Sequence, residues 1–189
     1  MRFLRLHAAC PQPRPLRGMS LIEVLVATLV VSVGILALAS LMSTATRLGK
    51  TSEFRSVASL LAADLAERLR ANASAADAGA YQLKPTALAS SRPEAPANLC
   101  ISPCEALQIA VLDLAHWQAT LFNSLPAGTG YLSYDPESDG ADLWVIWRDP
   151  AALDADQASV LSEAELAKSC PPKFSATPRP MCLYFRVAR

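Results

Sequence analysis

The feature that most constrains this chain of 189 residues is the run Val24–Thr46, 23 consecutive positions without a formal charge. A helix of about 20 apolar residues crosses the hydrocarbon core of a bilayer, so the run is long enough to span one. Arg2, Arg5, Arg14 and Arg17 precede it with no acidic residue among them, which predicts that the leader side stays cytoplasmic. No proline occurs from Met19 to Lys84, so one helix can leave the membrane and continue beyond it. Glu23 stands at the start of this helix. A carboxylate at the edge of hydrocarbon is costly and usually marks function. The plainer alternative is a side chain that snorkels to the interface from its place one turn into the helix.

A secretory signal keeps its apolar region upstream of the cut, whereas the cut favoured here, after Gly18, lies upstream of the apolar region and would leave that helix on the mature protein. Gly18 followed by Met19-Ser20-Leu21-Ile22-Glu23-Val24-Leu25-Val26-Ala27 resembles the class III signal of type IV pilins and type II secretion pseudopilins. The resemblance implies cleavage by a membrane prepilin peptidase after Gly18, methylation of the new N-terminus at Met19, and Glu23 as the fifth mature residue. Family members usually carry Phe where this chain has Met19. Further on, the segments Ala62–Asn72, Asp113–Trp117 and Leu125–Gly130 look like the order of segments in the PilV group of minor pilins. In that family the fifth-position Glu is read as pairing with the terminal amine of an adjacent subunit in the filament core, which offsets the desolvation of that amine.

The formal charge of the whole chain is zero, but the leader is +4, so the remainder has 13 basic and 17 acidic residues, a net of −4 before the new amino terminus is counted. Such an acidic mature protein gives no support to nucleic acid as a primary ligand. Of five cysteines, Cys10 belongs to the leader, and Cys100, Cys104, Cys170 and Cys182 follow the span, where an oxidising periplasm lets them pair. Four cysteines permit three connectivities. Cys170 with Cys182 and Cys100 with Cys104 is the preferred set.

Beyond the span, Phe54, Val57, Leu61, Leu65 and Leu69 recur at spacings of three and four, an apolar stripe suited to a small head domain, with Asp64 and Arg68 placed to pair on the surface. Asn72 and the small residues to Gly79 signal a stop, and residues 73–99 read as a surface connection. Ser102-Pro103-Cys104-Glu105 predicts a second helix with Ser102 as N-cap, Pro103 in the first turn and Glu105 completing a capping box. Its apolar face runs through Leu107, Val111, Leu114, Leu121 and Leu125, read as core and not as a coiled-coil surface, and it ends at Pro126 and Gly128. Tyr131–Tyr134, Leu143–Trp147 and Met181–Val187 read as three strands of an antiparallel meander, with a turn over Pro136–Gly140. Met181, Leu183, Phe185 and Val187 share the face expected to lie on the long helix. Residues 149–180 form a long connection with a short helix near Ser162–Lys168.

Little here reads as chemistry. Cys100, Cys104, His116 and Cys170 loosely resemble a zinc site, but an even cysteine count in a periplasmic chain favours disulfides, so no metal is expected. His116 reads as a surface or boundary residue. Asp135, Glu137, Asp139 and Asp142 surround a turn and carry the oxygen chemistry of a calcium site, with a solvated acidic hairpin the favoured reading. Gly128-Thr129-Gly130 is a turn signal and not a phosphate loop, and no nucleophile elbow or triad spacing occurs.

The expectation is therefore a non-catalytic α+β protein of pilin-like fold, without cofactors, in which a long membrane and spine helix packs on a small antiparallel sheet head that carries a second helix. Its expected parts are a cleaved leader over 1–18, an assembly helix over 19–46, the outer half of the spine helix over 47–72 and a head over 73–189. It would reside in the inner membrane with the head in the periplasm and then enter an extracellular type IV pilus, with other pilins as partners. Two rivals stand beside it: a type II secretion minor pseudopilin, and a secreted binding protein or enzyme with a conventional signal cut near Ala37-Leu38-Ala39.

Overall fold

The computed structural model describes residues 18–94, 96–97, 100, 103–135, 140–149, 169–172, 174 and 180–188. The chain divides after Ser43 into two units. The first, among the described residues, is Gly18–Ser20 followed by the beginning of helix α1 (Leu21–Ala71). Ser20 accepts backbone bonds from Glu23 N and Val24 N at 3.0 and 3.3 Å, which starts the helix. Every side chain from Gly18 to Ser43 is exposed, including Leu21, Leu25, Leu29 and Leu36. By length and composition this part of α1 is capable of crossing a membrane. Two of its hydroxyls are satisfied by the helix itself, Thr28 Oγ1 donating to Leu25 O at 2.9 Å and Ser32 Oγ to Thr28 O at 2.7 Å. That matters in a setting without water, where an unmade hydrogen bond is expensive.

The second unit is an α+β head. Within it α1 buries Ala58, Ala62, Leu65, Ala66 and Leu69, with Phe54, Val57 and Leu61 half-buried against the same core. The large residues supply apolar area and the alanines between them let neighbouring elements approach closely. After a turn at Asn72 comes the short helix α2 (Ala73–Asp77), then strand β1 (Gln82–Leu83), helix α3 (Ala106–Ser124), and strands β2 (Thr129–Asp135), β3 (Gly140–Trp147) and β4 (Met181–Ala188). The four strands form one antiparallel sheet in the order β1-β2-β3-β4. Leu132, Leu143, Val145, Trp147 and Val187 share its buried face with Trp117, Leu121, Leu125 and Tyr81. Met181, Leu183 and Phe185 pack on that core, and Tyr184 and Arg186 alternate to the other face.

Several sequence expectations need correction. The stretch 73–99 is not wholly a connection, because its first third forms α2 and β1. Gly79, at φ +75°, closes α2: its N–H bonds Ala76 O at 2.9 Å and Ala80 N bonds Ala75 O at 2.9 Å, the paired bonds of a Schellman ending. The second helix begins three residues later than the Ser102 capping box suggests, with Glu105 as N-cap, and Gln108 Oε1 accepts from Glu105 N at 3.0 Å. Ser102 itself lies outside the described residues, as do the turn residues 136–139, the leader residues 1–17 and the short helix expected near Ser162–Lys168. Along α3 the buried residues are Ala110, Ala115, Trp117 and Leu121, whereas Leu107 and Val111 are exposed. The alanines mark where α3 is closed over, and the bulkier Leu107 and Val111 lie at its margin.

Gly128 and Gly130 are more than a turn signal, since Thr129 and Gly130 already belong to β2. A Cβ on Gly130 would overlap the Trp117 ring, and one on Gly128 would overlap Leu121 O and stand 2.9 Å from Leu125 Cβ. The strand therefore passes so close to α3 that only glycine fits.

Candidate functional site

Two groups of residues stand out: Gly18–Glu23 at the beginning of α1, and, within the second unit, the joint between the later part of α1 and the rest of the head. Gly18, Met19 and Ser20 are exposed and non-helical, and Gly18 has no atom within 4 Å of where a side chain would start. Nothing among the described residues covers the Gly18–Met19 peptide. Glu23 lies in the first turn of α1, where the helix dipole favours a negative charge. Its carboxylate has no ion-pair or side-chain hydrogen-bond partner among the described residues, although unburied apolar residues surround it in sequence.

At the joint, Arg68 of α1 donates through Nε to Asp64 Oδ2 at 3.0 Å and through Nη1 to Asp113 Oδ1 of α3 at 2.9 Å. Asp113 Oδ2 accepts from Tyr81 Oη at 2.7 Å, and Asn72 Nδ2 donates both to Tyr81 Oη at 3.2 Å and to Ala106 O at 2.8 Å. One turn further along, Trp117 Nε1 donates to Leu61 O at 2.8 Å. Six side chains and two backbone carbonyls thus tie α1, the α2–β1 turn and α3 together. Burial, which alone would lower the Arg68 pKa, is outweighed by its hydrogen bonds to Asp64 and Asp113, so the guanidinium holds its proton more tightly than usual. The Tyr81 phenol, fully buried, is pushed up to about 12 by burial first and then by its bond to Asp113. Tyr81 is the residue that sequence reasoning missed. Its signal was being the sole aromatic in a run of small residues, where a large ring has no reason to sit unless something closes over it.

The segments 62–72, 113–117 and 125–130 therefore meet in one place: the first two through Arg68 and Asp113, the last two through Gly130 against Trp117. Cys100 with Cys104 and Cys170 with Cys182 stand at disulfide distance, each with Cα atoms 5.2 Å apart. His116 is exposed, and no cluster of three metal-ligating side chains occurs among the described residues. The acidic hairpin is only partly described, and there Asp142 is engaged by Arg186 and Tyr184, both donating to Oδ1 at 2.7 Å. A cavity of about 170 Å³ lies between Leu69, Ala76, Tyr134, Ala141 and Val187, almost wholly apolar, with Tyr134 Oη donating to Asp77 Oδ1 at 2.8 Å on its margin. It is smaller than the usual ligand pocket of several hundred Å³. Comparison of the chain with known protein families, with curated proteins and with solved structures returns no match in any of the three.

Proposed function

We propose that the chain is a minor pilin, made as an inner-membrane precursor, cut by a prepilin peptidase between Gly18 and Met19, methylated on Met19 and then built into a type IV pilus. It works by assembly and carries no catalysis. One observation carries the reading: the part of α1 up to Ser43, every side chain of which is exposed, holds a single carboxylate, Glu23, which has no partner among the described residues and follows an exposed glycine by five positions. In the bilayer, lipid covers such a helix. In a fibre, copies of the same helix cover one another, and Glu23 meets the N-terminal ammonium of a neighbouring subunit, because an unpaired charge withdrawn from water costs several kcal/mol. The head contributes specific contact to other pilins, held to α1 by the Arg68–Asp113–Tyr81 joint.

Intact-mass measurement of membrane-extracted protein tests the processing step. The expected species lacks residues 1–18 and carries one additional methyl group on Met19. A mature N-terminus at Ser40 contradicts the reading and supports a conventionally secreted protein instead.

A further inference from the structure

The sheet face opposite the core is built in rows that the strand register fixes. Thr129, Ile146 and Cys182 pair across β2, β3 and β4 in the first row, and all three are buried, Cys182 standing at disulfide distance from Cys170. Two residues along, Tyr131, Trp144 and Tyr184 pair in the second row. Their rings touch in sequence: Tyr131 meets Trp144 at 5.3 Å edge-on, and Trp144 meets Tyr184 at 5.0 Å with an interplanar angle of 47°. Tyr184 is 49% exposed, and Tyr131 and Trp144 are partly so. The third row is Ser133, Asp142 and Arg186, polar throughout. Asp142 Oδ1 accepts from both Tyr184 Oη and Arg186 Nη1, while Oδ2 makes no hydrogen bond among the described residues. The Trp144 indole N–H and the Tyr131 hydroxyl likewise have no partner among the described residues.

Three aromatic side chains side by side, partly exposed on the face of the sheet away from the core, cost solubility, and the core makes no use of them. Cross-strand aromatic pairs stabilise a sheet, but a Val or Thr row would do that without exposed rings. We propose that the aromatic row and the polar row beside it form a binding platform for a neutral oligosaccharide. One pyranose ring lies with its apolar C–H face on the Trp144–Tyr184 pair, and its hydroxyls, which both donate and accept, reach Asp142 Oδ2, Ser133 and the indole N–H. The complementarity is specific. The C–H face of a sugar is apolar and slightly positive, as the negative face of an aromatic ring requires. Rows two residues apart are separated by about 7 Å along the strands, so stacking groups and hydrogen-bonding groups fall beside each other within the span of a short glycan. Charge sets the class: Arg186, the cation of these three rows, is paired with Asp142 at 2.7 Å, so they offer no unpaired positive charge to attract a phosphate or sulfate. Single-stranded nucleic acid also stacks on aromatic rows, but it needs a positively charged groove alongside them. The platform is independent of the pilin reading and stands or falls separately.

The test uses the full chain, purified in lauryldimethylamine oxide, whose head group is not a sugar. It is applied to an array of neutral oligosaccharides (cello-, chito- and manno-oligomers among them), sialylated and sulfated glycans, and a 20-nucleotide poly-dT strand. The expected result is binding to at least one neutral glycan, with Tyr184→Ala and Trp144→Ala each weakening it about tenfold and His116→Ala leaving it unchanged. Tyr184→Ala, at a half-exposed position, should leave the melting temperature within 2–3 °C of the parent, about what a surface change produces. It therefore carries the test even if Trp144→Ala fails to fold. Absence of binding to every neutral glycan, retention of binding in Tyr184→Ala, or preference for poly-dT or sulfated glycans overturns the proposal.

Discussion

Arg68 on the long helix and Asp113 on the helix of the head meet at 2.9 Å, and the second oxygen of Asp113 takes the Tyr81 hydroxyl at 2.7 Å, so one carboxylate joins three separate stretches of chain. The two ionic side chains are 32% and 18% exposed, which places the pair between a surface contact and a buried one. Its worth is therefore modest, and its geometric role is to fix where α3 lies against α1.

A double-mutant cycle with Arg68→Ala and Asp113→Asn measures that worth. We expect a coupling energy of about 1 kcal/mol that shrinks as salt is raised. Asp113→Asn alone should cost more than Arg68→Ala, because it also weakens the acceptor for the buried Tyr81 hydroxyl. A coupling indistinguishable from zero would mean that the contact merely accompanies the packing.

Tyr81 gives the head an alkaline limit. Its folded pKa is about 12 and its ordinary value is 10.0. Because the folded value is raised, the stabilisation is complete below pH 10 and is lost as pH climbs towards 12, where the unfolded chain ionises first. Two units correspond to about 2–3 kcal/mol across that window. Tyr81→Phe should be about 1–2 kcal/mol less stable at neutral pH, having lost the bonds to Asp113 and Asn72. It should also lose less stability than the parent between pH 10 and 12. Urea unfolding at pH 7, 10 and 11.5 compares them, and parallel pH curves would show that Tyr81 is not the titrating group.

The two cysteine pairs should contribute unequally. Cys170 and Cys182 are separated by 12 residues and Cys100 and Cys104 by 4, so the chain-entropy account gives about 3 kcal/mol for the first and about 2 kcal/mol for the second. Cys182 is also buried, which adds a packing loss when it is replaced. Thermal unfolding of Cys170→Ala/Cys182→Ala should therefore fall further than that of Cys100→Ala/Cys104→Ala. Alkylation without reduction should label none of the four in the parent protein.

Much of the fold was legible because periodicity is legible. The stripe Phe54, Val57, Leu61, Leu65 and Leu69 faces the core, and the alternation of Met181, Leu183, Phe185 and Val187 marks one face of β4. What escaped notice depends on contacts distant in sequence. β1 has two residues and no period to detect, existing only because Gln82 and Leu83 meet Ser133 and Leu132. Ser102-Pro103 satisfies the local rule for a cap, but so do Glu105 and Gln108, and the helix starts at the second pair. Leu107 and Val111 belong to the periodic apolar face of α3 yet are exposed, whereas Trp117 is buried where β2 crosses at Gly130. Gly18, Met19 and Glu23 form a pattern in the sequence, and the partner proposed for Glu23, a second subunit, is not contained in one chain.

The central claim is that Glu23 serves assembly, and the decisive measurement is the ratio of this protein in sheared pili to that in membranes for the parent, Glu23→Val and Glu23→Gln, with cleavage at Gly18–Met19 checked in each. Glu23→Val should insert into the membrane as well as the parent or better, since an apolar residue costs less in hydrocarbon. Its incorporation should fall sharply, because the neighbour's ammonium would enter the fibre unpaired at a cost of several kcal/mol. Glu23→Gln keeps the shape and an acceptor but not the charge, and should fail likewise. Parental incorporation of both cleaved variants would contradict the account, leaving Glu23 as an interfacial carboxylate with no part in assembly.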